Sequence, residues 1–200
     1  MSDFTRPRRV SAAVRDVLLV VLGAALALAA EEWRDARAER HRASLALASI
    51  RAELLDNRGR VERARVHHRS MADTLAAYQA RGQRPPESVY FGGVLQPALP
   101  LSTAWQTARE TGALTALPYA VVLALAPVYE VQSRYRELGD GLAQAIMVEM
   151  QRRGVEPVFR DEFAHFIPIE RDFANREGML DDTYAQAIAR LDSLQRAGSH

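Results

Sequence analysis

The junction at Glu31 constrains this chain more than any other feature. The apolar run of residues 17–30 (VLLVVLGAALALAA) passes without proline or turn signal into Glu31-Glu32-Trp33-Arg34 and a long charged pattern. An apolar run continuous with a charged helix reads as one rod leaving a membrane. Between Asp16 and Glu31 lie 14 uncharged residues, about 21 Å of helix. A hydrocarbon core is about 30 Å thick. Extending the span back to Val10 gives 21 residues, at the cost of enclosing Arg15 and Asp16. Arg15 can snorkel to the headgroups. Trp33, just beyond the other end, suits an interfacial anchor. The expected order is a short basic tail (1–9), a transmembrane helix acting as signal anchor (10–31), then the polar remainder.

A cleaved secretory signal is the rival reading. Arg6, Arg8 and Arg9 make a basic start, and Ala27-Leu28-Ala29 matches an A-x-A site. The helical pattern continues through that site, which favours a retained anchor. A short core helix is the third reading, and the basic start argues against it. Basic residues tie across the span: Arg6, Arg8, Arg9 and Arg15 before it, Arg34, Arg37, Arg40 and Arg42 after. A short arginine-bearing amino terminus stays cytoplasmic as a rule. The main domain is then expected outside a bacterial inner membrane, in the periplasm of a diderm cell.

A step of alternately three and four residues from Trp33 meets Ala36, Arg40, Ala43, Leu47, Ile50, Leu54, Asn57, Val61, Ala64, His68, Met71, Leu75 and Tyr78. Of the large apolar residues in this stretch, only Leu45, Leu55 and Val66 fall off the stripe. A 3.5-residue repeat held this long predicts a helix packed along one seam, here over 32–82. Leu47, Ile50, Leu54, Asn57 and Val61 are its centre, a seam for oligomerisation or for packing within the chain. Asp56-Asn57-Arg58-Gly59 looks locally like a turn. The stripe keeps its phase across it, so a continuous helix is expected.

Gly82 and Arg84-Pro85-Pro86 close the rod. A Pro/Gly-rich loop (83–101) follows, in which Tyr90 and Phe91 pin the loop to the bundle or form a clamp. A helical bundle is expected over 102–200, packed on the rod. Its helices begin with an N-cap at Ser102 or Thr103 and end first at Gly112. The next runs from Pro118 to about Leu138, kinked at Pro127 and stopped at Gly139-Asp140-Gly141. Another covers 142–153. The last part is read as short helices interrupted at Pro168 and Gly178, with a terminal seam at Leu180, Tyr184, Ile188, Leu191 and Leu194. No stretch alternates at period two, so the fold class is all-α: a transmembrane helix continuing into a heptad rod, with an irregular helical bundle.

Function is less legible. Formal net charge is +1, and all 26 basic residues are arginine, interleaved with 25 acidic ones. That balance gives no field for nucleic acid. The chain has no cysteine, which excludes disulfides, thiolate nucleophiles and thiolate-bound metals. Glu162-x-x-His165 is a lone motif where a di-iron bundle needs two. Gly92-Gly93 is too little for a phosphate loop. No catalytic, cofactor-binding or metal-binding residues are assigned, and no cofactor is expected. Trp105, Arg109, Tyr129, Glu130 and Arg134 could line a small-ligand pocket between helices.

The apolar segment ending in Glu31-Glu32-Trp33, the charged helix, Trp105, Ala108, Thr111 and Gly112, and the later helix carrying Tyr129 together resemble a large uncharacterised family of bacterial single-pass membrane proteins. The resemblance covers the chain to about Leu138. It implies topology and no activity. The expectation is a membrane-anchored, non-enzymatic structural or interaction subunit. Its partners would be the lipid bilayer and a second copy or another membrane protein. The alternative is an extracytoplasmic small-ligand sensor or binding module with its pocket near Trp105.

Overall fold

A computed structural model describes residues 7–197, with side chains from Val14 onward. Every element among them is helical. The expected basic tail lies outside the described residues up to residue 6, and from Pro7 the chain is already helix.

Helix α1, Pro7–Ala80, is one unbroken rod of 74 residues, about 111 Å long. It passes through Asp56-Asn57-Arg58-Gly59 without a turn, because Asn57 and its stripe neighbours are buried there. Gly82, at φ +63°, ends it. Leu47, Ile50, Leu54, Val61, Met71 and Leu75 are each 8% exposed or less, while Leu45, Leu55 and Val66 are 44–58% exposed. The heptad stripe is therefore the buried face. Each large apolar side chain on it contributes roughly 1.5–3 kcal/mol. The chain's own helices fill the seam, so Leu47, Ile50, Leu54, Asn57 and Val61 pack internally.

Among the described residues, no helix is long and apolar enough to cross a membrane. The uncharged run is bounded by Asp16 and Glu31, and the side chains of the expected extension before Val14 are outside the description. From Val14 to Arg42, α1 is exposed on all sides.

Helix α2, Thr103–Glu110, is short and ends at Thr111 with Gly112 left-handed at φ +73°. A 3-10 turn, Ala113–Ala116, lies against α1. Helix α3, Tyr119–Arg153, is longer than expected. It runs through Pro127, and through Gly139-Asp140-Gly141 where a stop was expected. Pro127 lacks the amide that would bond the Leu123 carbonyl, but both residues are exposed, so water can serve that oxygen. Gly139 is buried. A methyl group there would touch Pro97 Cβ at 3.5 Å, so the bare helix surface receives the loop.

Helix α4, Phe166–Ala197, also overrides its expected interruptions. Pro168 sits in its first turn, where an amide has no helical partner to lose. Gly178 costs about 1 kcal/mol in a helix interior. Burial of its neighbours Phe173, Leu180 and Tyr184 offsets that. Helix α4 lies antiparallel along α1, and α3 packs on α4. Two bidentate pairs set the α1–α4 register, Arg51–Asp192 at 3.0 Å and Arg58–Asp181 at 2.9 Å. Being part exposed and screened by solvent, they fix register more than they add stability. A second apolar cluster caps the far end of α1, where Met71 and Leu75 meet Val94, Val158, Phe163, Phe166 and Ile167.

Candidate functional site

The core of the bundle is unusually polar for one this small. Glu53, Asn57, His68, Gln132, Glu170 and Glu177 are all 8% exposed or less. Three of them, Asn57, His68 and Gln132, fasten one object, the extended segment 94–101. Pro97 and Pro100 stiffen that segment and bias the residues before them to extended backbone. They also carry no amide needing a partner. Six of the remaining backbone groups are met by side chains.

His67 Nε2–H donates to Val94 O at 3.2 Å. Gln96 N–H donates to His68 Nε2 at 3.2 Å. Ala98 N–H donates to Tyr135 Oη at 2.9 Å. Arg136 donates to Pro100 O at 2.6 Å. Asn57 closes a two-way pair with Leu101, accepting its N–H at 2.7 Å and donating to its carbonyl at 2.8 Å. Gln132 donates to the same carbonyl at 2.8 Å, and Tyr184 O–H donates to Gln132 Oε1 at 2.8 Å. Side chains of α1 and α3 thus replace the neighbouring strand that an extended segment ordinarily requires.

Because Gln96 N–H fills His68 Nε2, the proton of this imidazole sits on Nδ1 and is donated to Glu177 Oε2 at 2.8 Å. Tyr135 O–H donates to Glu177 Oε1 at 2.5 Å. Burial pushes the Tyr135 hydroxyl well above its ordinary range, and the hydrogen bond to Glu177 adds to this. Glu53 closes the other end. Its two oxygens accept from Tyr129 O–H at 2.8 Å and from Ala104 N–H at 2.7 Å. Ala104 lies in the first turn of α2, so a carboxylate from α1 caps that helix. The expected cap at Ser102 makes no such bond.

Glu170 differs from the rest. It is fully buried, and neither carboxyl oxygen has a hydrogen-bond partner. Burial first, and the nearby Glu177 second, raise its pKa from 4.5 to about 8.

The expected ligand-pocket residues lie beside this core, at a cleft that Gln132 and Arg136 also line. Trp105 stacks on Tyr129, with ring centroids 4.8 Å apart and planes 14° from parallel. They form one wall of a 280 Å³ cleft between α2 and α3 that includes Gln106, Arg109, Glu130 and Arg136. Trp105, Arg109, Tyr129 and Glu130 therefore converge. Arg134 does not line the cleft; it points outward and holds Glu130 at 2.8 Å. Glu162 and His165 sit together 3.8 Å apart, but Arg153 engages both Glu162 oxygens. No group of three metal-ligating side chains occurs among the described residues. Tyr90 pins the loop by donating to Phe159 O at 2.7 Å, while Phe91 is 82% exposed and pins nothing. Arg15 pairs with Asp16 at 3.5 Å, and Trp33 is exposed with the Arg37 guanidinium 5.6 Å above its ring.

Sequence reasoning missed Glu53, Gln132, Tyr135, Arg136, Glu170 and Glu177. A signal was present for the glutamates: Glu170, Glu177, Tyr184 and Leu191 recur every seven residues, a core spacing with polar occupants.

No protein-family model, no curated protein and no solved structure matches this chain.

Proposed function

We propose that the chain is a single-pass protein of the bacterial inner membrane, in which residues 10–31 form the anchor and a stalk holds the helical bundle on the extracytoplasmic side. It acts by binding, as a structural or interaction subunit. One observation carries this reading. Val17, Leu18, Leu19, Val20, Val21, Leu22, Leu26 and Leu28 are 56–73% exposed on one helix. A continuous apolar surface of this kind marks a contact with lipid or protein. Lipid is favoured because the run is apolar around the whole circumference of the helix, whereas a protein partner asks for one face. The Arg15–Asp16 pair softens the cost of enclosing two charges. Trp33 at the exit supports the same depth.

A binding role is supported by the use made of the buried ionisable groups. Glu53, His68 and Glu177 have their polar atoms taken up in fastening the chain to itself. The Leu47/Ile50/Leu54 seam is spent internally, so a partner protein would be met elsewhere. Glu31-Glu32-Trp33 with Trp105, Ala108, Thr111 and Gly112 supports placing the chain with the uncharacterised single-pass family.

The test is fractionation of cells expressing the full chain, followed by alkaline carbonate extraction and protease treatment of spheroplasts. Retention in the carbonate-washed membrane, with the carboxyl terminus cut in spheroplasts, is expected. Release of the intact chain without detergent would contradict the reading. The cleft at Trp105 favours a second reading, a small-ligand binding module on the same anchor.

A further inference from the structure

We propose that the cleft between α2 and α3 binds a small organic carboxylate. The inference rests on the ligand-binding reading and gives it a chemistry. Arg109 and Arg136 both line the cleft. Elsewhere in the bundle, arginines are commonly matched to carboxylates, as in Arg51–Asp192, Arg58–Asp181, Arg153–Glu162 and Arg176–Asp172. Arg109 and Arg136 have no ion-pair partner among the described residues, and the Arg109 guanidinium has no hydrogen bond either. Arg136 spends one nitrogen on Pro100 O and leaves the rest of its fork unused.

No acid nearby is paired with them. Glu130 on the rim turns its Oε1 to Arg134. Glu53, behind the aromatic wall, has each oxygen occupied, by Tyr129 and by Ala104. The cleft is therefore donor-rich and short of one negative charge. Guanidinium forks match the planar, two-oxygen face of a carboxylate. The Trp105–Tyr129 stack offers an apolar wall for the body of such a ligand. A volume of 280 Å³ gives room for a molecule of benzoate size.

The test is calorimetric titration of the full chain in non-ionic detergent at low ionic strength, with sodium benzoate, the neutral isostere benzamide, and inorganic phosphate. Benzoate should bind saturably and at least about tenfold more tightly than benzamide or phosphate. Arg109→Gln should remove that preference. The Arg109 side chain is exposed and makes no hydrogen bond within the chain, so this variant folds as the parent does. Arg176→Gln, on α4 and paired with Asp172 away from the cleft, should leave benzoate affinity unchanged. In a Trp33→Phe background, binding should also shift the fluorescence of Trp105. Benzamide binding as tightly as benzoate would overturn the carboxylate assignment while leaving the ligand-binding reading intact. Preference for phosphate would overturn it in favour of a tetrahedral anion. Saturable binding of none of the probes up to ~10 mM would overturn both the assignment and the reading beneath it.

Discussion

Glu170 is the residue whose chemistry is most exposed to experiment. A carboxyl buried without a partner is tolerated only while neutral. Its folded pKa, about 8, lies above the unfolded value of 4.5. Below pH 4.5 both states hold the proton and the Glu170 contribution is flat. Between pH 4.5 and 8 the unfolded chain releases it and the folded chain keeps it. Stability then falls with rising pH, by up to about 1.4 kcal/mol per unit. Above pH 8 this contribution falls no further. Glu170→Gln cannot ionise, so denaturant unfolding should show a smaller loss between pH 5 and pH 8 than in the parent. The expected difference is about 2 kcal/mol or more. Equal losses would show that Glu170 ionises freely. Asn57 gives a second residue-scale expectation. Asn57→Leu is close to isosteric but strands the Leu101 amide and leaves its carbonyl to Gln132 alone. It should cost about 2–3 kcal/mol by the same unfolding measurement, where a surface asparagine would cost almost nothing.

Two elements have opposite stabilities built into one rod. Residues 43–75 of α1 are packed on α4 and the 94–101 segment, whereas residues 31–42 are bare helix. An isolated stretch that short is marginal in water. Amide exchange should be faster in 31–42 than in 47–75 by several orders of magnitude, with the change near Ala43. Uniform protection along α1 would mean that something covers the stalk. Segment 94–101 is held by side chains alone, and His68→Ala removes the acceptor for Gln96 and a donor to Glu177. The Gln96 and Ala98 amides should then lose protection ahead of the helices around them, which hydrogen exchange reads directly. How much of this is legible in the sequence depends on the periodicity. The α1 seam is written in residues 33–78, because apolar side chains at a constant 3.5-residue step have one place to go. The left-handed ends at Gly82 and Gly112 are equally plain. The continuity of α3 and α4 is not, because Gly139, Gly178 and Pro168 act locally as breakers and tertiary burial decides against them. The cap on α2 is invisible for a related reason: its donor is met by Glu53, some fifty residues earlier in the chain.

At the scale of the molecule, three parts carry three tasks: an apolar end, a bare stalk and a bundle knitted by polar groups. Residues 31–42 span about 18 Å, which sets the bundle off from the apolar run by that distance. The polar core was the part hidden from the sequence, because a buried glutamate and a solvated one look alike until a partner such as His68 or Tyr135 is found. The ligand cleft was half legible: Trp105, Arg109, Tyr129 and Glu130 come together, Arg134 turns away, and Arg136 takes its place. Everything outside the bundle depends on what surrounds residues 17–28. The chain has no cysteine, so single cysteines report cleanly. The decisive measurement places one at Leu19, Val21, Leu26, Ala36 or Ser44 in the full chain, in sealed membrane vesicles, and follows labelling by a membrane-impermeant maleimide. Protection at 19, 21 and 26, with labelling at 36 and 44 from the outer side, is the expected result. Labelling at Leu19 and Val21 as fast as at Ala36 would contradict a lipid-embedded anchor.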